Sequence, residues 1–185
     1  MHTQPTPSLA YRGLDSMSLD ELEKVFLDGI TPDPELLAGW VFRGCNTPDW
    51  MRLLGIKKFM KGFWRSRGQL YGYNQPVVQD SLSKPWRAQP SDDNPKRFGF
   101  YSVEPVDSTA TDNAYLHALL LDYGQGGNPF YDPSAGLRDY LVQVSADNPD
   151  LYLGKAYFAL GPKRVPTFSF FVLERDRRGP EHRPH

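Results

Sequence analysis

Three strand-like segments separated by turn-forming residues dominate the last third of the chain. Residues 137–144, 151–160 and 167–173 are rich in aromatic and branched side chains, which suit a pleated, half-buried surface. Residues 145–149 (SADNP) and Gly161-Pro162 separate them, and such residues favour turns because they interrupt strand ladders. This region therefore predicts neighbouring antiparallel strands.

The first of these segments does not alternate cleanly between apolar and polar residues. One face would carry Arg138, Tyr140, Val142 and Val144, and the other Leu137, Asp139, Leu141 and Gln143. A half-exposed sheet alternates more strictly, whereas a closed barrel around a partly polar cavity, partly covered by helices, explains mixed faces. Further strands are predicted at residues 36–44, 69–78, 98–106 and 114–123. The total of seven or eight is typical of a small antiparallel barrel.

Length and composition favour one mainly β domain. The 185 residues suit a single core, and we predict a loose N-terminal arm over 1–16, the barrel over 17–175 and a disordered C-terminal tail over 176–185. The net charge of -1 argues against general nucleic-acid binding. A single cysteine, with neither a secretory signal nor a long apolar run, indicates a cytoplasmic protein.

One or two short helices are predicted near the N-terminus. Ser18 and Glu21 have the spacing of a capping box, and Gly29 is a natural helix end. Thr47 followed by Pro48 is a second helix start. These helices would pack against the sheet.

Several short patterns resemble a known group of barrels. They are Gly39-Trp40-Val-Phe-Arg-Gly44, Leu121-Asp122-Tyr123, Leu137-Arg138-Asp139, Leu153-Gly154-Lys155 and residues 170–175 (FFVLER). They are similar to the calycin-type, lipocalin-like bacterial proteins that carry a Gly-x-Trp-x-Gly motif, although the spacing from Gly39 to Trp40 differs. The resemblance implies a barrel whose interior holds a small apolar molecule. It also implies that Arg175 stacks over Trp40 at one end.

A basic segment from residue 52 to residue 67 contains aromatic residues but no acidic residue. If helical, its apolar residues would share a face, a pattern typical of an interfacial amphipathic segment. Contact with a membrane surface would then use Lys57, Lys58, Lys61 and Arg65. The segment could also form a cationic portal that attracts an acidic ligand or partner. The favoured interpretation is a helix or strand that faces the core and has a solvated basic side.

His117 is the candidate catalytic residue, because it is the one histidine predicted to lie in a strand rather than near a terminus. In a cavity it could act as an acid or base near neutral pH, or it could simply be a hydrogen-bonded core residue. The candidate ligand-binding residues are aromatic, together with this histidine: Tyr115, His117, Tyr123, Trp64, Tyr71, Tyr101 and Trp86. Trp86 either contacts a ligand or packs onto the barrel.

No metal site or cofactor is predicted, because no His, Cys and Asp cluster has ligand spacing. The carboxylates Asp122, Asp139 and Glu174 are expected to pair with Arg138 or Arg175.

Three functions remain open on the sequence. The first is binding of a small apolar or amphipathic molecule, such as a fatty acid, terpenoid or polyketide. The second is a cofactor-free isomerase, cyclase or dehydratase with His117 as the proton shuttle. The third is a peripheral membrane or protein-interaction module that uses the basic segment.

Overall fold

The computed structural model describes residues 6–129, 131–180 and 182–184. Among these residues, three helices precede the first strand: α1 (Leu9–Asp15), α2 (Leu19–Asp28) and α3 (Pro34–Leu37). The eight strands are β1 (Trp40–Asn46), β2 (Lys58–Ser66), β3 (Gln69–Pro76), β4 (Phe98–Pro105), β5 (Leu119–Asp122), β6 (Leu137–Ser145), β7 (Asn148–Leu160) and β8 (Lys163–Arg178). Short 3-10 turns occupy Asp49–Arg52, Tyr123–Gln125 and Pro133–Gly136.

The strands form a closed, up-and-down antiparallel barrel. Each strand pairs with the next along the chain, and β8 returns to pair with β1. Closure leaves no unpaired sheet edge. The predicted mainly β, antiparallel barrel with a few short helices is therefore confirmed.

Alternation along the strands produces two apolar layers. The inner layer receives side chains from every strand, including Phe42, Phe63, Tyr101, Leu141 and Leu173. The outer layer is contributed by the opposite face of several strands together with the helices and loops: Tyr11, Leu22, Phe26, Met60, Trp86, Val142 and Val172 belong to it. Both faces of much of the barrel are therefore buried, which is why the sequence does not alternate cleanly.

One end of the barrel is closed by α3 and by stacked cations. Leu37 is fully buried against the inner layer. The guanidinium carbon of Arg175 lies 4.6 Å from the centre of the Trp40 ring, and that of Arg178 lies 3.9 Å from it. The predicted cation–π contact of Arg175 with Trp40 is confirmed, and a second arginine joins it.

Helix α2 begins and ends where the sequence predicted. The Ser18 side chain accepts a hydrogen bond from the Glu21 amide, and the Glu21 carboxylate accepts one from the Ser18 amide. Gly29 is the C-cap. The buried side chains Leu22 and Phe26 face the barrel, so the amphipathic pattern decides how the helix packs.

Some boundaries differ from the sequence prediction. Helix α1 lies within the stretch predicted as a loose arm, of which residues 1–5 fall outside the described residues, and its Tyr11 is fully buried. Strand β8 continues to Arg178, beyond the predicted end of the domain at residue 175. The first strand was predicted to begin at residue 36, but β1 begins at Trp40. The residues before it form helix α3, whose N-terminus is capped by the Asp33 side chain.

Most of the basic segment, for which the sequence left a helix and a strand open, is strand β2, and the residues before it form a 3-10 turn and a loop. The side chains of β2 therefore alternate between the inside and the outside of the barrel. The strand predicted over 114–123 is limited to Leu119–Asp122, because the residues before it turn across the outer face. Among the described residues, no helix has both the length and the apolar character needed to cross a membrane.

Candidate functional site

A cavity of about 330 Å³ opens at the end of the barrel opposite α3. Its walls are mainly apolar and come from several strands and the residues beside them, including Phe59, Phe98, Leu137, Ala156 and Phe171. Ile56 and Phe98 at its rim are 46% and 43% exposed. The volume lies at the lower end of the range typical of small-molecule pockets, about 300–1,000 Å³. The barrel interior is thus filled at one end and hollow at the other.

The floor of this cavity is a buried ion pair that spans the barrel. Lys61 lies on β2 and Asp139 on β6, four strands away in an eight-stranded barrel, so the two residues face each other across the interior. The Lys61 Nζ lies 3.1 Å from Asp139 Oδ2, and both side chains are at least 95% buried. The pair separates the hollow half from the filled half.

Two neutral side chains complete the floor. The Lys61 ammonium also donates to Asn74 Oδ1 (2.9 Å) and to Tyr123 Oη (2.5 Å). The Tyr123 hydroxyl donates in turn to Asp139 Oδ2 (2.9 Å). The Asn74 amide donates to Gly99 O and to Tyr123 Oη, both at 3.2 Å. We name these four residues, Lys61, Asn74, Tyr123 and Asp139, the floor cluster.

Aromatic rings surround the ammonium group of the floor cluster. The Lys61 Nζ lies 4.7 Å from the centre of the Tyr101 ring and 5.1 Å from that of Phe171. Ring faces attract a cation and offset part of the cost of removing it from water. The lysine therefore has both a counter-ion and a partly favourable apolar environment.

Burial shifts the acid–base equilibria of the floor cluster. Burial lowers the pKa of the Lys61 ammonium, while the charge of Asp139 and its hydrogen bond act in the opposite direction. Burial, and then the charge of Asp139, raises the pKa of Tyr123 well above its ordinary value. Burial raises the pKa of the neighbouring Tyr101 in the same way. Both tyrosines are therefore neutral hydroxyl groups at neutral pH.

Two of the predicted ligand-binding residues lie in the barrel interior. Tyr123 belongs to the floor cluster and borders the cavity. Tyr101 packs against it with ring centres 4.9 Å apart, and belongs to the inner layer. Their predicted contact with a ligand remains a prediction.

The other predicted aromatic residues lie outside the barrel. Trp64 and Tyr71 stack on each other across β2 and β3 at 5.4 Å, beside a surface groove separate from the cavity. Trp86 packs onto the outer face, where its Nε1 donates to Gly44 O at 3.1 Å. Tyr115 bonds to Tyr157 on the outer face, with 2.7 Å between the hydroxyl oxygens. The structure does not bring these four residues to the cavity.

His117 also lies on the outer side of the barrel. It precedes β5 and its Nε2 is 3.1 Å from Phe26 O in α2. The prediction placed His117 inside the barrel on the assumption that it lies in a strand, but strand β5 begins only at Leu119. His117 is therefore separated from the cavity, and a reaction inside the barrel would have to use other residues.

The basic residues expected at a membrane surface are paired within the protein. Lys57 is 2.8 Å from Asp15 Oδ1, and Lys58 is 2.6 Å from Asp80 Oδ1 and stands over the Trp86 ring. Arg65 pairs with Glu35. Together with Lys61 in the floor cluster, these cations are committed to internal contacts, and Lys57, Lys58 and Lys61 are each at least 97% buried. Contact of this segment with a membrane remains a prediction.

Sequence reasoning missed three members of the floor cluster as site residues, Lys61, Asn74 and Asp139. Asp139 was expected to pair with an arginine, but Arg138 points to the outer face and pairs with Asp122 instead. Asn74 gave no signal. Lys61 could have indicated the site. In a strand it lies on the same face as Phe59 and Phe63, which marks it as a charge inside an apolar layer. Within the described residues, no group of three His, Cys, Asp or Glu side chains could hold a metal ion.

Fold and cavity together define this molecule as a closed eight-stranded antiparallel β-barrel with an interior cavity at one end. Comparisons of the chain with protein-family models, with curated proteins and with solved structures found no match.

Proposed function

We propose that this protein binds a small apolar or amphipathic molecule in the cavity of its barrel. The observation that carries the proposal is the cavity itself: apolar walls above a polar floor at one end of an otherwise filled barrel. Binding sites for small molecules typically combine apolar walls with a few fixed polar groups. The cavity volume suits a compact ligand or part of a longer one.

A cavity-filling variant tests this proposal. Ala156 lies on the cavity wall in β7, and Ala156→Trp would place a large ring in the space that a ligand needs. The matched control is Ala159→Trp, three residues along the same strand and outside the cavity lining. Binding of the neutral apolar dye Nile red, followed by fluorescence, should weaken at least tenfold in Ala156→Trp and persist in Ala159→Trp. Equal dye binding by both variants would contradict the proposal.

The relationship to lipocalin-like bacterial proteins of the Gly-x-Trp-x-Gly group is part of the same proposal. An eight-stranded antiparallel barrel and the stacking of Arg175 on Trp40 support it. A cytoplasmic location is also proposed, in keeping with the single buried, unpaired Cys45. Cell fractionation with an antibody to the protein tests the location.

A membrane-contact role for residues 52–67 is the remaining proposal. Sedimentation with anionic vesicles tests it. Salt-sensitive binding of the wild-type protein to such vesicles would support it. Indifference of the folded protein to such vesicles would remove it.

A further inference from the structure

The hydrogen-bond donors of the floor cluster are all occupied. The Lys61 ammonium has three N–H groups, and they point to Asn74, Tyr123 and Asp139. The Tyr123 hydroxyl donates to Asp139. The two N–H groups of the Asn74 amide are used by Gly99 O and Tyr123 Oη. Lys61, Asn74 and Tyr123 therefore use all of their side-chain donors within the described part of the chain.

One hydrogen-bond acceptor of the floor cluster is available to a ligand. Both hydrogen bonds to the Asp139 carboxylate end on Oδ2. Its other oxygen, Oδ1, accepts no hydrogen bond from the part of the chain that the structure describes, although Asp139 is 96% buried and borders the cavity. A carboxylate oxygen that borders the cavity and has no protein donor is a strong, charge-assisted acceptor, so a ligand donor that reaches it is favoured.

The net charge of the floor cluster also favours a neutral ligand with a donor group. Lys61 and Asp139 neutralise each other, so a carboxylate ligand would bring an unpaired negative charge next to Asp139 in a desolvated place. A cationic ligand would bring an unpaired positive charge next to Lys61. A neutral ligand adds no charge at all. The polar lining residues outside the floor cluster are Asn46, Lys58, Gln79, Gln89, Thr167 and Ser169. The charge of Lys58 is paired with Asp80, and the others are neutral hydroxyl or amide groups that add no net charge.

We infer that the cavity selects neutral amphipathic molecules that carry a hydroxyl or N–H donor at their polar end, and rejects fatty-acid carboxylates. The donor binds Asp139 Oδ1, and the apolar body lies against Phe59, Phe98 and Phe171. This inference rests on the proposed binding function, and it narrows the ligand classes that the sequence left open, since fatty acids are among them.

Three molecules with alkyl chains of seven or eight carbons test the inference on the wild-type protein: 1-octanol, octanoate and octyl methyl ether. Each is titrated against bound Nile red at neutral pH. The affinity for octanol should exceed that for octanoate by about tenfold or more. Octanol gains a hydrogen bond to a charged acceptor, whereas octanoate buries its own charge. Octanol should also bind more tightly than the ether, which is neutral but has no donor.

The variant Asp139→Asn should reverse this preference. It removes the negative charge and leaves the Lys61 ammonium as the net charge of the floor, so octanoate should gain affinity and octanol should lose it. Asp122→Asn is the matched control, because Asp122 is also buried and ion-paired, at 3.0 Å to Arg138, but lies outside the cavity lining. It should keep the wild-type order.

The possible results distinguish failure of this inference from failure of the proposed binding function. Octanoate or the ether binding as tightly as octanol, or octanol failing to displace bound Nile red, would overturn the inference and leave the binding function standing. Failure of Nile red itself to bind would remove the binding function. The wild-type comparison decides the matter even if Asp139→Asn does not fold.

Discussion

Replacing Lys61 by methionine should destabilise the protein strongly, because it leaves a buried carboxylate without its counter-ion. The two charges are 3.1 Å apart and at least 95% buried. Their attraction is about 5 kcal/mol at an effective dielectric constant of about 20, much of which offsets the cost of burying them. Breaking a buried pair by removing one partner costs about 3–5 kcal/mol, and we expect Lys61→Met to fall in this range.

Urea unfolding at pH 7, followed by circular dichroism, measures the loss in the free energy of unfolding. The control is Lys24→Met, which breaks an exposed pair of similar length on α2, 3.0 Å from Lys24 Nζ to Asp28 Oδ2, with side chains 81% and 67% exposed. That pair should contribute no more than about 0.5 kcal/mol.

The double variant Lys61→Met with Asp139→Leu should recover part of the loss. It removes both charges, and apolar replacements of a buried pair are often tolerated. Recovery would be incomplete because Tyr123 and Asn74 lose their partners. A loss below about 1 kcal/mol for Lys61→Met, close to the Lys24→Met value, would refute the view of the floor as a desolvated ion pair.

Three other changes have clear expected outcomes. Gly154→Ala would place a Cβ 2.0 Å from the Phe171 ring and should cost about 1–3 kcal/mol in urea unfolding, whereas Gly13→Ala in α1 meets open space and should stabilise by about 0.5–1 kcal/mol. Equal effects of the two alanines would contradict the packing. The Cys45 thiol is fully buried and burial raises its pKa, so it should react with a thiol reagent at pH 8 only after denaturation; rapid labelling of the native protein would contradict this. Ser18→Ala should cost about 1 kcal/mol and Ser18→Gly only a few tenths, measured by thermal unfolding; equal losses would argue against capping by the hydroxyl.

Local patterns were enough to predict most of the fold. The capping box at Ser18 and the strand segments in the last third depend on short-range chemistry, and the structure confirms them. The contact of Arg175 with Trp40 was also predicted, although from a resemblance rather than from spacing. The capping box and the strands could be predicted because each depends on residue type or on neighbours along the chain.

The candidate site was predicted less well, for a reason that lies in the geometry of barrels. Strand parity assigns a residue to the inside only if the strand boundaries are right, and His117 lies two residues before β5 begins. Aromatic residues suit both layers of a barrel whose outer face is also covered, so Trp64, Tyr71 and Trp86 gave no indication of their side.

The sequence by itself determined that this chain is mainly β, where most of its strands lie and how α2 begins and ends. Only the tertiary structure decided that Lys61 and Asp139, 78 positions apart, meet across the interior. Closure of β8 onto β1 sets which strands stand opposite each other, and no local pattern encodes that distance. Burial then made an ion pair from two residues that in the sequence resemble ordinary solvated charges.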